Sequence, residues 1–260
     1  MARVTEIRSP DNPLLVRMRR LLAQPDAYRR LGKVWIEGEH LCQAWLAQHG
    51  GHDVQALIGQ TAWATSPHRH HAATAEAVAV LPDALMAALS PLDTPAALAF
   101  AVPWSGTGEI APGLPTVVLD RIQDAGNVGT MLRSAAAFGF TQVVALKGTA
   151  ALWSPKVMRA GMGAHLALRL VESADEAELD RLDLPLLATS SHARIDLPVL
   201  PLPWPCAWVF GHEGQGVATT LLARCGQTVR IPQPGGGESL NVAIAASICL
   251  YESARRRPTG

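Results

Sequence analysis

A chain of 260 residues is long enough for two modest domains, each with a core of its own. Its 22 basic and 22 acidic residues cancel, so no global charge marks a nucleic-acid binder. The four cysteines (Cys42, Cys206, Cys225, Cys249) lack CxxC or zinc-finger spacing and read as buried thiols of a reducing compartment; with no signal-peptide core and no apolar run near the ~20 residues of a bilayer span, a soluble cytoplasmic protein without a membrane partner is expected.

Residues 1–102 form one compositional unit, expected to be a small α/β domain. Ser9-Pro10-Asp11-Asn12-Pro13 reads as a turn capping a basic helix over 14–22. Arg17, Arg19, Arg20, Arg29 and Arg30 outnumber the acids around them, and Arg255-Arg256-Arg257 make a second basic patch. Phosphate contacts and a solvated helix face are equally good readings of both. Short strands are expected at 34–36, 54–58 and 78–80, with a helix over 40–48 ended by Gly50-Gly51. His68-Arg69-His70-His71 follows Ser66-Pro67 and reads as a surface loop with no carboxylate or cysteine nearby, so no metal site is expected.

Residues 103–115, rich in Pro and Gly, read as a linker, and the pattern changes over 116–260. Short apolar strands at 117–119, 143–146, 166–171, 186–188, 208–210 and 229–231 alternate with helices, including 128–138, an acidic one over 174–182, and an apolar one after Ser239. That alternation predicts a parallel sheet covered on both faces, whose ligands bind beyond the carboxyl ends of the strands.

Three strand-end loops carry polar residues. In the first, Asn127 is placed to cap the helix that follows. Arg133 lies about 9 Å further along the axis, where a positive charge near a helix N-terminus would be relieved by an anion such as phosphate; a plain cap with a surface arginine is the slightly better reading of this loop alone. The second, Gly211-His212-Glu213-Gly214-Gln215-Gly216, reads as a tight turn or as backbone approaching a ligand, with His212 facing solvent. In the third, Ile231 leads into a Pro/Gly loop that delivers Ser239, read as the N-cap, with Leu240, Asn241 and Val242 in the first turn of the closing helix. There is no Walker loop, no dinucleotide fingerprint after the first strand of this unit, and no nucleophile elbow.

Together, Asn127-Val-Gly…Arg133-Ser-Ala, Gly211-His-Glu213-Gly-Gln-Gly216 and Ile231-Pro…Ser239-Leu240-Asn241-Val resemble the three ordered motifs of the SpoU/TrmH-type RNA ribose methyltransferases of the SPOUT superfamily, over about Pro115 to Arg257. Trp35-Ile-Glu-Gly-Glu-His-Leu41 is similar, over a shorter stretch, to that family's RNA-substrate-binding domain. Ala125, Gly161 and Gln233 depart from the common Pro, Ser and Met. The resemblance implies an α/β parallel sheet with a C-terminal trefoil knot, S-adenosyl-methionine bound in the knot, a homodimer, and methylation of a ribose 2′-hydroxyl in structured RNA, ribosomal ahead of transfer RNA. It implies catalytic roles for Asn127, Arg133, Glu213, Ser239 and Asn241. Cofactor contacts fall to Thr189, Gly211, Gly216, Ile231 and Leu240. A non-catalytic RNA-binding module that keeps the knot is the alternative.

Overall fold

The structure is a computed structural model and describes residues 2–65, 67–90, 94–236 and 239–257. Ser66, ahead of the histidine run, and Gly237 and Glu238 of the third loop, lie outside the described residues. The chain divides into two compact units, residues 1–106 with 153–158, and residues 107–152 with 159–260. Among the described residues no helix is long and apolar enough to cross a membrane.

In the first unit the order is β1 (Arg3–Glu6), α1 (Pro13–Ala23), α2 (Ala27–Leu31), β2 (Lys33–Glu37), α3 (Glu39–His49), β3 (Gln55–Gly59), α4 (Gln60–Thr65), α5 (His68–Thr74), β4 (Ala77–Leu81), α6 (Asp83–Leu89) and β5 (Leu98–Pro103). The expected start of α1 holds: the Asn12 side chain accepts from Leu14 N, and Pro13 opens the helix. The sheet order is β1-β4-β3-β5-β2, with β2 and β3 antiparallel to β5 and the other pairings parallel. Two expectations fail here. The histidine run is a helix, α5, and α3 packs against it, so the Glu39 carboxylate comes within 3.4 Å of His68 Nδ1. Tertiary packing hid that carboxylate from the sequence.

The second unit carries β6 (Thr116–Asp120), α7 (Ala125–Ala137), β7 (Gln142–Leu146), α8 (Pro155–Gly161), β8 (Arg169–Ala174), β9 (Leu186–Thr189), β10 (Ile195–Asp196), β11 (Ala207–Gly211), α9 (Thr219–Arg224), β12 (Gln227–Arg230) and α10 (Val242–Arg255), with α8 falling across the division between the units. All seven strands pair in parallel in the order β10-β12-β9-β11-β6-β7-β8. Every residue of β6, β7 and β11 is buried, as continuous apolar strands covered on both faces must be. The strand expected at 166–171 starts later, because Ala164–Ala167 winds into a 3-10 turn, and the acidic helix is 3-10 over Glu176–Leu182. Gly161, the departure from Ser, is explained locally: a Cβ there would lie 2.7 Å from Cε1 of His165, a buried ring bonded to Leu152 O.

Helix α10 is locked over β11 and beside α7. The buried Trp208 Nε1 donates to Ser253 Oγ at 2.8 Å, and Ser253 Oγ donates on to Cys249 O. Ser134 Oγ of α7 and Ser247 Oγ of α10 meet at 2.7 Å. These contacts bring the N-termini of the two helices side by side.

Candidate active site

The carboxyl ends of β6 and β11 lie in register, Asp120 opposite Gly211, and those of β9 and β12 likewise, Thr189 opposite Val229. The loops that follow all emerge at one edge of the sheet. Asp120 ends β6 as a buried carboxylate. It accepts from Arg121 at 2.8 and 3.0 Å and from Ala218 N at 2.7 Å. Arg121 reaches on to Gln215 Oε1 and Gly216 O, so one ion pair holds the second loop against the first.

Asp124, rather than Asn127, caps α7: its side chain accepts from Asn127 N at 2.8 Å, which puts Asn127 at the third helical position with its amide directed elsewhere. Asn127 Nδ2 donates to Glu213 Oε1 (3.1 Å), and Asn127 Oδ1 accepts from Asn241 Nδ2 (3.0 Å). Asn241, rather than Ser239, caps α10, its Oδ1 accepting from Ala243 N and Ile244 N. Asn is as good a cap as Ser, and the helix simply begins later. The anion at the start of α7 is Glu213 itself, which accepts from Gln123 N and Asp124 N, so no phosphate is needed there.

Glu213 belongs to a loop closed by His212. The imidazole is not a solvent ornament: Nδ1 accepts from Gly214 N and Gln215 N, and His212 O accepts from Gly216 N. Nothing adjacent in sequence marks that role, nor those of Asp120, Arg121 and Asp124.

Burial alone would raise the Glu213 pKa; hydrogen bonds from its own backbone, the Asn127 amide and the N–H groups of Asp124 and Gln123 outweigh it and hold the carboxyl below its ordinary range. A carboxyl depressed in the folded state stabilises above its unfolded pKa, and that contribution is lost as pH falls through the folded one. The clamp on Asn127 is therefore expected to hold at neutral pH and to fail only as the pH falls below the ordinary carboxylate range. Glu213→Gln should flatten that acid limb in a titration of ligand affinity against pH. An unchanged profile would remove Glu213 from the clamp.

Beside this chain of amides lies a cavity of about 820 Å³. Thr189, Glu213, Gly216, Ile231, Ser239 and Leu240 all line it. Gly211 does not: it lies beneath the loop, where a Cβ would overlap the backbone of Gly216 and Val217. Arg133 stands on the exposed side of α7 and makes no hydrogen bond or ion pair among the described residues. The structure thus gathers Asn127, Glu213 and Asn241 into one network and sets Thr189, Gly216, Ile231, Ser239 and Leu240 around the cavity. Arg133 it leaves apart.

A parallel α/β unit whose strand-end loops line one such cavity can take a nucleoside-sized ligand there. The chain belongs to the SpoU rRNA methylase family, whose model matches residues 115–251. It is 32% identical to an uncharacterized tRNA/rRNA methyltransferase of Synechocystis, over 98% of this chain and 95% of that protein. It is 35% identical to the 23S rRNA (guanosine-2′-O-)-methyltransferase RlmB of Bordetella pertussis, a match that spans 54% of this chain and 59% of that one. The crystal structure of an RNA 2′-O ribose methyltransferase superposes with a TM-score of 0.79 at 30% identity, covering 97% of this chain and 99% of the other. An rRNA methyltransferase from Sinorhizobium meliloti and the SpoU methyltransferase AviRb from Streptomyces viridochromogenes, both of the same fold, have been solved with S-adenosyl-methionine bound.

Proposed function

We propose that this protein transfers a methyl group from S-adenosyl-methionine to the 2′-hydroxyl of a ribose in structured RNA, ribosomal RNA ahead of transfer RNA. The observation that carries the reading is the Glu213–Asn127–Asn241 network opening beside the cavity. The cavity's volume, about 820 Å³, suits a nucleoside-sized ligand. Its walls fit one as well: Val217, Leu222 and Leu240 offer apolar surface, and Gly214 and Gly216 let backbone come close.

The bound cofactor supplies an activated methyl group on a sulfonium. The protein's task is to aim a poor nucleophile at it and to stabilise developing alkoxide charge. With one N–H given to Glu213 and one lone pair to Asn241, Asn127 keeps one donor and one acceptor for the ribose hydroxyl. Arg133 offers a planar cationic fork, so it serves as phosphate clamp and alkoxide stabiliser rather than as base. Ser239 at the cavity wall adds a further hydroxyl. In this reading the chain after β12 is threaded as a trefoil knot, and the first unit holds the RNA through the exposed Arg17, Arg20, Arg29 and Arg30.

The active form is a homodimer. Its support is an apolar stripe on α10, Ile244 and Tyr251, each 53% exposed, with Ile248 between them. A second copy would also bring an Arg133 toward a site that its own chain leaves without one. Ile244→Asp is expected to shift the protein to monomer in light scattering and to lose activity with it. A parent protein that is monomeric at micromolar concentration would end the dimer reading.

The test of the activity is incubation with methyl-labelled S-adenosyl-methionine and unmodified total RNA, followed by mapping of 2′-O-methyl sites. Label in one ribosomal position is the expected result. Cofactor binding without any label in RNA would favour the non-catalytic module.

A further inference from the structure

The reaction makes no use of the cluster where α3 and α5 of the first unit meet. His68 and His71 stand one turn apart on α5, so both rings leave the same side of the helix. They face Glu39, in the first turn of α3. His68 Nδ1 lies 3.4 Å from Glu39 Oε2, His71 Nδ1 lies 3.7 Å from Glu39 Oε1, and the three donor groups sit within 4.8 Å of one another. The side chains are only 26%, 27% and 32% exposed.

Both separations exceed the roughly 2.7–3.2 Å of an N–H···O hydrogen bond. Measured to different oxygens of the one carboxylate, they come near the edge of a tetrahedron of donors around zinc, roughly 3.3 Å for metal–ligand bonds of about 2.0–2.1 Å, and side-chain rotation would draw the whole set, within 4.8 Å as it stands, onto one ion. Nδ1 of His71 is buried and has no hydrogen-bond partner among the described residues. Gln43, one turn beyond Glu39, braces the set: its Nε2 donates to Glu39 Oε1 at 3.1 Å and meets His71 Nε2 at 3.0 Å. A metal bound at His71 Nδ1 would leave the ring proton on Nε2 and turn the Gln43 amide so that its oxygen accepts it.

We propose that Glu39, His68 and His71 bind one divalent transition metal of the zinc class, with an outward-facing position left to water. Two imidazoles and one carboxylate suit zinc far better than magnesium or calcium, which take oxygen ligands. The ion joins α3 to α5 across β3 and α4, and so stiffens one face of the first unit.

Zinc(II) alone, titrated into the full-length protein and followed by calorimetry and thermal melting, tests this. One equivalent per chain is expected, with a rise in the melting midpoint and, with cobalt(II) instead, the visible spectrum of a low-coordinate site. His71→Ala and Glu39→Gln should each weaken binding at least tenfold, whereas His52→Gln and His70→Gln, at exposed positions, should leave it unchanged. No saturable zinc binding by the parent protein overturns the proposal, as does binding that survives both His71→Ala and Glu39→Gln. The cobalt spectrum is read on the parent protein, so a variant that fails to fold leaves the test intact. Because the titration contains neither RNA nor S-adenosyl-methionine, its outcome is separable from that of the methyl-transfer assay.

Discussion

Arg133→Ala is expected to slow methyl transfer by about 10²–10³-fold, the size of effect seen when one stabiliser of developing negative charge is deleted. Cofactor affinity should change less than about twofold, because the residue does not line the cavity. Stability should move by no more than about 0.5 kcal/mol, since the exposed side chain has no intrachain bond among the described residues to lose. Arg133→Lys sharpens the result. A lysine keeps the charge but not the planar fork, so partial recovery points to charge stabilisation, and none points to bidentate phosphate recognition. Turnover equal to the parent's in Arg133→Ala would remove the residue from the chemistry.

Gly211→Ala acts through an entirely different route. The new methyl would overlap backbone atoms of Gly216 and Val217, and backbone cannot swing aside as a side chain can. The loop carrying Glu213 must shift, and with it the hydrogen bonds to Asn127, Asp124 and Gln123. A loss of about 3 kcal/mol is expected, equivalent to a melting point lowered by roughly 6–12 °C, together with cofactor affinity down more than tenfold. Gly235→Ala is the control, since a methyl there meets nothing within 4 Å and should cost little stability. A Gly211→Ala protein with the parent's melting curve and affinity would show that the loop is not held where the structure has it.

The parallel sheet was legible because burial on both faces leaves a plain mark. The apolar runs at 117–119, 143–146 and 208–210 fall inside β6, β7 and β11. What escaped was set by competition between near-equal local choices or by distant packing. Asp124 and Asn127 are both good caps, as are Ser239 and Asn241, and only the relation of the two helices selects between them. Strand β5, central between β3 and β2, hides in an Ala-rich run whose periodicity fits helix or strand alike. At the site, the residue types were readable from the motifs, whereas the hydrogen bonds were not. Asn127 and Asn241 are 114 positions apart, and Asn127 and Glu213 are 86.

Those spans bear on how the protein is made. A ribosome releases Asn127 first, then Glu213, and Asn241 only later, and closing loops of such length is entropically slow. A nascent chain halted before Asn241 would own a finished sheet and a cavity wall, yet its Asn127 carboxamide would spin unanchored on one side. The amide network beside the cavity can therefore close only once Asn241 has emerged.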